Sequence, residues 1–306
     1  MIRALLCSGQ GRIEQGMFDR LDVNAESRAV LNSAAGLLGS DPPVFLAEAG
    51  ADVITQDRAG QILCVTRSLA AFAALRLRAP TMVAGYSVGE MAAWSIAGIW
   101  RHDQALRLTE RRAELMDRAD KGAGGLGFVR GLEKPCLDRL LVRHSCAIAI
   151  RNPGALYIIG GLRSDVAACC EEALQCGALA ARPIAVRVAS HTPRLAAAVA
   201  PFERLLAAEA ASPPDDQFLL VGAATAAVIP AATAEIVSGL AHQLASTVDW
   251  SGVLTSLVER GATRMLELGP GDALAHMVRA SWPDMDVRAL DDFRTIDGAR
   301  QWFEAA

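Results

Sequence analysis

Two residues stand in settings where chemistry is expected. Ser87 is the centre of Gly85-Tyr86-Ser87-Val88-Gly89, a G-x-S-x-G. The run at 80–85 predicts a strand, and the pattern after Ser87 predicts a helix. A nucleophile elbow needs such a strand-to-helix turn with no side chain on either flank. The amides at the start of the following helix favour developing negative charge. A serine at its free pKa is a poor nucleophile and needs a base. Of the five histidines (His102, His144, His191, His242 and His276), His191 alone follows a strand-like segment, 185–190, and precedes a loop opening Thr192-Pro193. The end of a strand beside a loop is where an open α/β sheet gathers its site residues. Serine as nucleophile and histidine as base are the reading this pair supports. The plainer readings are a structural turn and a structural histidine, both common in chains of this composition.

Positioning such a pair requires a rigid scaffold. Residues 3–7 predict a buried strand that ends at the turn Ser8-Gly9-Gln10-Gly11. Helical patterns run to about residue 78 and again over 103–120. Strands separated by helices predict a parallel sheet covered by helices. The rhythm changes near residue 123. Strands are expected at 127–131, 146–151, 156–160 and 179–188, with helices at 134–144 and 164–176. Asn152-Pro153-Gly154 supplies a turn between two of the strands. That order, β-α-β-β-α-β, is ferredoxin-like. Afterwards 192–210 predicts a helix, and 218–221, 264–267 and 287–289 predict strands. The expected fold class is α/β: an α/β-hydrolase-like large subdomain (1–122 and 190–306) with an inserted ferredoxin-like small one (123–189).

With 306 residues, 52% hydrophobic and 21% charged, the chain can bury a sizeable core and is not of disordered type. A net charge of −4 argues against a general nucleic-acid role. The longest apolar stretch, 218–234, contains Pro230, is shorter than a membrane span and predicts a strand plus loop. No secretory signal is read at the N-terminus. Seven cysteines without a CxxC suggest neither a disulfide framework nor zinc. Reduced thiols, a cytoplasmic location and no metal are expected.

Eight motifs, in order along the whole chain, resemble the malonyl-CoA:acyl-carrier-protein transacylase family and the acyltransferase domains of polyketide and fatty-acid synthases. They are Gly9-Gln10-Gly11 with Gly16-Met17, Gln61, the serine motif through Glu90, and Arg111-Arg112 through Met116. Asn152-Pro153-Gly154 with Gly160-Gly161, Ser190-His191, Gln243-Leu244 through Trp250, and Glu267-Leu268-Gly269-Pro270-Gly271 complete the set. The resemblance implies an acyl-Ser87 intermediate with His191 as base, and ping-pong transfer of malonyl from coenzyme A to the thiol of a pantetheine-type arm on an acyl carrier protein. It implies an oxyanion hole from the backbone N–H groups of Gln10 and Val88, and a main-chain carbonyl, that of Gln243, orienting His191. Arg112 would hold the malonyl carboxylate in a partly desolvated cleft through two parallel hydrogen bonds. Gln61, Asn152 and Gln243 would be supporting residues. Coenzyme A thioester enters as substrate, with no bound cofactor, nucleic acid or membrane. Tyr86, Ser8, Arg12-Ile13 and Ile62 depart from the family's usual residues. Residues 83–90 and 188–193 most resemble the transacylase subunit of bacterial malonate decarboxylase.

Two other functions compete: a serine thioesterase or esterase using the same pair with water, and a non-catalytic scaffold subunit. A hydrolase of this kind would place an acid between its serine and a late histidine, and none is evident. Gly122-Ala123-Gly124-Gly125-Leu126-Gly127 matches a dinucleotide motif, but the expected helix precedes it and the strand follows, so a hinge is expected instead. Cys169, Cys170 and Cys176 are expected in helix packing, and Asp291-Asp292 in a solvated loop. Residues 122–190 carry eight Lys/Arg against five Asp/Glu, which makes the small subdomain a candidate docking face for an acidic carrier.

Overall fold

The computed structural model describes residues 2–79 and 81–305. Pro80, expected to begin the strand before the serine motif, lies outside them. The described strands are β1 (Ile2–Cys7), β2 (Thr81–Gly85), β3 (Gly124–Arg130), β4 (Ala147–Asn152), β5 (Leu156–Leu162), β6 (Ala180–Ile184), β7 (Phe218–Val221), β8 (Val248–Asp249), β9 (Ala262–Glu267) and β10 (Asp286–Ala289). They form two sheets, ordered β10-β9-β1-β2-β7 and β6-β3-β5-β4-β8.

Every pairing in the first sheet is parallel. Its inner strands β1 and β2 are apolar and buried from Ala4 and Met82 onward, as strands covered on both faces must be. The helix Asp57–Leu75 packs among the helices Ala25–Leu38, Gly89–Ile96 and His102–Asp120 and is buried almost all round, Gln61 and Arg67 included. A helix without a polar face belongs inside a domain. That is why its sequence shows so little amphipathic rhythm.

In the second sheet β3, β4, β5 and β6 are antiparallel neighbours in the order β6-β3-β5-β4, the pairing of a ferredoxin-like unit. The helices Lys134–Arg143 and Arg163–Gln175 pack against it around Leu137, Leu140, Val166, Cys169 and Cys170. The short β8, from far along the chain, adds to the edge of β4 in parallel. The small sheet is thereby tied to the segment that follows Gln243. The strand expected at 179–188 stops at Ile184. Pro183 has no N–H for a ladder, and the Val186 N–H turns back to the Ile184 carbonyl. Residues 185–189 then cross toward the large subdomain.

The two crossing segments are held by one buried side chain. Asp120, at the end of the helix His102–Asp120, is 1% exposed. Its carboxylate accepts from the Gly124 N–H at 2.7 Å and the Ala189 N–H at 3.3 Å, and Arg194 lies 3.6 Å away. A Cβ on Gly124 would come 2.0 Å from the Asp120 carboxylate. Of the glycines that mimic a dinucleotide motif, Gly124, Gly125 and Gly127 belong to β3, and Gly124 stands where backbone must approach a carboxylate. All seven cysteines are free, and among the described residues no group of His, Cys, Asp and Glu could hold a metal. Asp291 pairs with Arg67 and Asp292 with Arg279.

Replacing Asp120 by alanine would leave two buried N–H groups at the crossing without an acceptor. Hydrogen bonds to charged groups contribute about 1.5–3 kcal/mol each, so Asp120→Ala is expected to cost about 3 kcal/mol. The check is a lower urea midpoint at unchanged slope; an unchanged midpoint would show that the clasp contributes nothing.

Candidate active site

Ser87 sits between β2 and the helix Gly89–Ile96 with φ of 55°, a left-handed conformation that a serine adopts only under constraint. The constraint comes from both flanks. A Cβ on Gly85 would lie 2.2 Å from the Glu90 backbone, and one on Gly89 would lie 2.2 Å from the Cys7 carbonyl oxygen. No side chain fits at either position, which is the physical content of the G-x-S-x-G. The Tyr86 N–H still donates to the Cys7 carbonyl at 2.9 Å, so the turn begins one residue after the ladder ends.

His191 reaches Ser87 across the fold. Its Nε2 is 2.7 Å from the Ser87 Oγ, and its Nδ1 is 2.7 Å from the Gln243 carbonyl oxygen. The carbonyl can only accept, so Nδ1 carries the proton and Nε2 is free to take one from the serine. His191 is itself left-handed, φ 61°, and its N–H donates to the Leu244 carbonyl at 2.8 Å. Two contacts with the Gln243-Leu244 backbone therefore fix its ring. Burial lowers its pKa from the ordinary 6.5 to about 3, with Arg112 adding to the effect and the Gln243 carbonyl opposing it.

Sequence reasoning passed over the carboxylate beneath. Glu90 is 1% exposed. It accepts from the Gln243 side-chain amide, from the Ala223 N–H at 3.1 Å and from the Trp94 indole N–H at 3.4 Å. Burial raises its pKa, while these donors act the other way. Glu90 was legible as the last letter of the serine motif, but only the fold shows that it holds the residue orienting His191.

Arg112 is 2% exposed, more deeply buried than the partly desolvated cleft expected of it. Arg111, one position before, is at the surface with Glu114 at 2.6 Å. The Arg112 Nη1 donates to the Gln61 Oε1 at 2.5 Å, and Nη2 has no partner among the described residues. A two-pronged grip is thus half taken by Gln61, and one prong is open. Burial lowers the Arg112 pKa to about 10, against the attraction of Asp57 and Glu90.

A cavity of about 230 Å³ opens over Ser87. Gln10 and Ser190 line it, and Leu126, Ile158, Ile184 and Met277 make its wall apolar. Neither Arg112 nor Gln61 is among the residues that line it. The Gln10 loop is set by Ser8, which donates to buried Glu267 at 2.7 Å, and by the Gln10 side chain reaching the Asp57 carbonyl at 3.4 Å. Neither the Gln10 nor the Val88 N–H has a backbone acceptor among the described residues. Asn152 ends β4 beside the Tyr86 hydroxyl and makes no hydrogen bond to Ser87 or His191. The other histidines are elsewhere. His102 bonds to Ser95 at 2.8 Å, His144 to Glu172 at 2.7 Å, and His242 and His276 bond back within their own helices.

No family model matches the chain. The polyketide biosynthesis protein ThaF of Burkholderia thailandensis is 29% identical over 92% of this chain, which spans 24% of that protein's length. The malonyl CoA-acyl carrier protein transacylase of Haemophilus influenzae is 25% identical over 98% of both chains. The crystal structure of an acyl-carrier-protein S-malonyltransferase from Burkholderia pseudomallei superposes with a TM-score of 0.89 at 27% identity, over 98% of this chain and all of that one. A malonyl-transacylase solved in complex with its type II polyketide acyl-carrier protein gives 0.90 at 25% identity, over 98% of this chain and 99% of that one. The chain is similar over nearly its whole length to malonyl-CoA:acyl-carrier-protein transacylases. Its likeness to them runs from end to end and includes both subdomains of the α/β architecture. Among the described residues no helix is long and apolar enough to cross a membrane.

The depressed pKa of His191 has a sign. Between about 3 and 6.5 the unfolded chain binds a proton at this position that the folded one refuses, so stability from this group is lost as pH falls through that window. The folded base meanwhile stays neutral. Acylation of Ser87 by an activated ester, read as the burst of leaving group, is expected to hold steady from about pH 8 to about pH 5. A fall centred near 6.5 would show that His191 titrates as an ordinary histidine.

Proposed function

We propose that this protein transfers a malonyl group from coenzyme A to the pantetheine-type thiol of an acyl carrier protein through an ester on Ser87. One observation carries the reading: Ser87 and His191 are paired at 2.7 Å, and the buried guanidinium of Arg112 close by keeps Nη2 unpartnered. Ser87 Oγ attacks the thioester carbon as His191 Nε2 takes its proton. The oxyanion is held by the Gln10 and Val88 N–H groups. Collapse breaks the carbon–sulfur bond, and His191 returns its proton to the departing coenzyme A thiolate. The carrier thiol then gives a proton to His191, attacks the ester and releases Ser87.

The acyl carboxylate has two effects in this site. It supplies the partner that a buried guanidinium requires. It also cancels part of the positive field that Arg112 exerts on His191, so the base strengthens when the right acyl group arrives. A neutral acyl group does neither. The motifs at 83–90 and 188–193 support the further reading that the carrier is the one dedicated to malonate decarboxylation. For carrier docking, several of the small subdomain's basic residues are already engaged: Lys134 with Asp138, Arg143 with Glu172, and Arg187 with Asp52. Arg130, Arg139 and Arg151 are exposed and make no ion pair among the described residues, which leaves them for an acidic partner.

Intact-protein mass spectrometry after incubation with malonyl-CoA is expected to show one malonyl adduct, absent from a folded Ser87→Ala protein. An undiminished adduct on that variant would end the proposal. Arg112→Ala is expected to slow malonyl transfer by about 100-fold while sparing or raising acetyl transfer; equal losses for both groups would remove Arg112 from acyl recognition.

A further inference from the structure

The helix Asp57–Leu75 opens on a carboxylate that neither nucleophile nor base uses. Asp57 is 2% exposed. Its Oδ2 accepts from the Gln61 Nε2 at 2.6 Å, and the Gln61 Oε1 accepts from the Arg112 Nη1 at 2.5 Å. An amide that gives its NH2 to a carboxylate has only its oxygen left to offer, so Asp57 decides which end of Gln61 faces Arg112. Two buried atoms in this cluster have no partner among the described residues, Asp57 Oδ1 and Arg112 Nη2. The Asp57 main-chain carbonyl also receives the Gln10 side chain at 3.4 Å, and Gly60 leaves room for it, since a Cβ there would lie 2.4 Å from the Gln10 Nε2.

We propose that Asp57 is a specificity-determining positioning residue, which through Gln61 keeps Arg112 Nη2 open toward an acyl carboxylate and takes up a proton when that carboxylate arrives. The proposal rests on the transferase reading and deepens it. The groups acting on Asp57 are Arg112 and Asp117 from the helix His102–Asp120, Gln61 from its own helix, and Gln10 from the loop after β1. Glu90 acts on Arg112 from the nucleophile's helix. One buried cation is therefore shared by two buried carboxyl groups, and an acyl carboxylate would be a third anion around it. In a low-dielectric interior such an excess is relieved by neutralising the least stabilised acid. Glu90 has three donors to hold its charge; Asp57 has the Gln61 amide, a lesser contribution from Gln10 and an unpartnered oxygen. Burial above all, with Asp117 adding to it, already raises the Asp57 carboxyl to about 7.

The sign follows. Below that value Asp57 is neutral and Arg112 is free for the substrate. Above it, Asp57 is charged and competes for Arg112. The KM for malonyl-CoA is expected to climb as pH rises through about 7, while kcat does not, because Asp57 touches neither Ser87 nor His191.

The test is steady-state kinetics of the native protein and of Asp57→Asn, with malonyl-CoA and acetyl-CoA, from about pH 6 to about pH 8. Acetyl-CoA carries the same phosphates, so their titration cancels in the ratio of the two KM values. In the native protein that ratio is expected to rise about tenfold over the range. In Asp57→Asn, whose amide oxygen can still accept from Gln61, it is expected to be flat. The same rise in both proteins, a flat ratio in the native one, or a lower kcat at unchanged KM in the variant would each overturn the proposal. If Asp57→Asn does not fold, the native ratio decides alone. Acyl-enzyme that forms with a flat ratio sinks this proposal only; no acyl-enzyme from either ester sinks the transferase reading and this proposal together.

Discussion

The site is organised around a positive charge that has been taken out of water. A guanidinium as buried as Arg112 must be surrounded by acceptors, or its burial would cost several kcal/mol. The chain meets that demand indirectly. Gln61 supplies a neutral oxygen to Nη1, and Asp57 and Glu90 attract from farther off without forming an ion pair. Had either carboxylate closed on Arg112, the charge would be satisfied and no acyl carboxylate would be wanted. In the proposed transfer, partial satisfaction is what would let a structural liability serve as a receptor.

The same economy appears in how the pieces are fixed relative to one another. Ser87 belongs to the turn after β2, His191 to the segment returning from the small subdomain, and Gln243 to a turn much later in the chain. Their geometry depends on backbone approaches that side chains would block: Gly85 and Gly89 around the elbow, and Gly124 at the subdomain crossing. Asp120 pins Ala189 two residues before His191, so the clasp that holds the two subdomains also limits where the base can sit. The edge strand β8 continues from Gln243 into the small sheet and restrains the other side of the same ring.

Much of this was legible in the sequence, for identifiable reasons. The elbow and the small sheet's β-α-β-β-α-β order could be read because each rests on local periodicity and on glycine, whose spacing is visible without a fold. The end of β6 was misjudged because 185–188 look like strand, and only the geometry shows Pro183 on an edge with the chain leaving the ladder. The helix Asp57–Leu75 gave little signal, since burial on all sides erases amphipathic rhythm. Asp57 and Glu90 were missed as partners for a different reason. An acidic residue in an apolar stretch reads alike whether it faces solvent or lies under an arginine, and only tertiary contact tells the two apart.

This charge arrangement also accounts for the absence of a carboxylate at the His191 Nδ1. A carboxylate there would orient the ring as well as the Gln243 carbonyl does, and it would stabilise the imidazolium formed during attack. It would also add a permanent anion to a site that already holds Asp57 and Glu90 around one arginine and that, on the proposed function, has to admit a negatively charged acyl group. A main-chain carbonyl fixes the same tautomer with a dipole instead of a charge. In the proposed transfer, the stabilisation it forgoes would be recovered when the acyl carboxylate reaches Arg112 and weakens the field opposing protonation of His191. Glu90 is kept one side chain away, bonded to the Gln243 amide and not to the imidazole. On the proposed function, the neutral orienting group and the buried arginine serve one end: neither adds a negative charge where an anionic acyl group would have to enter.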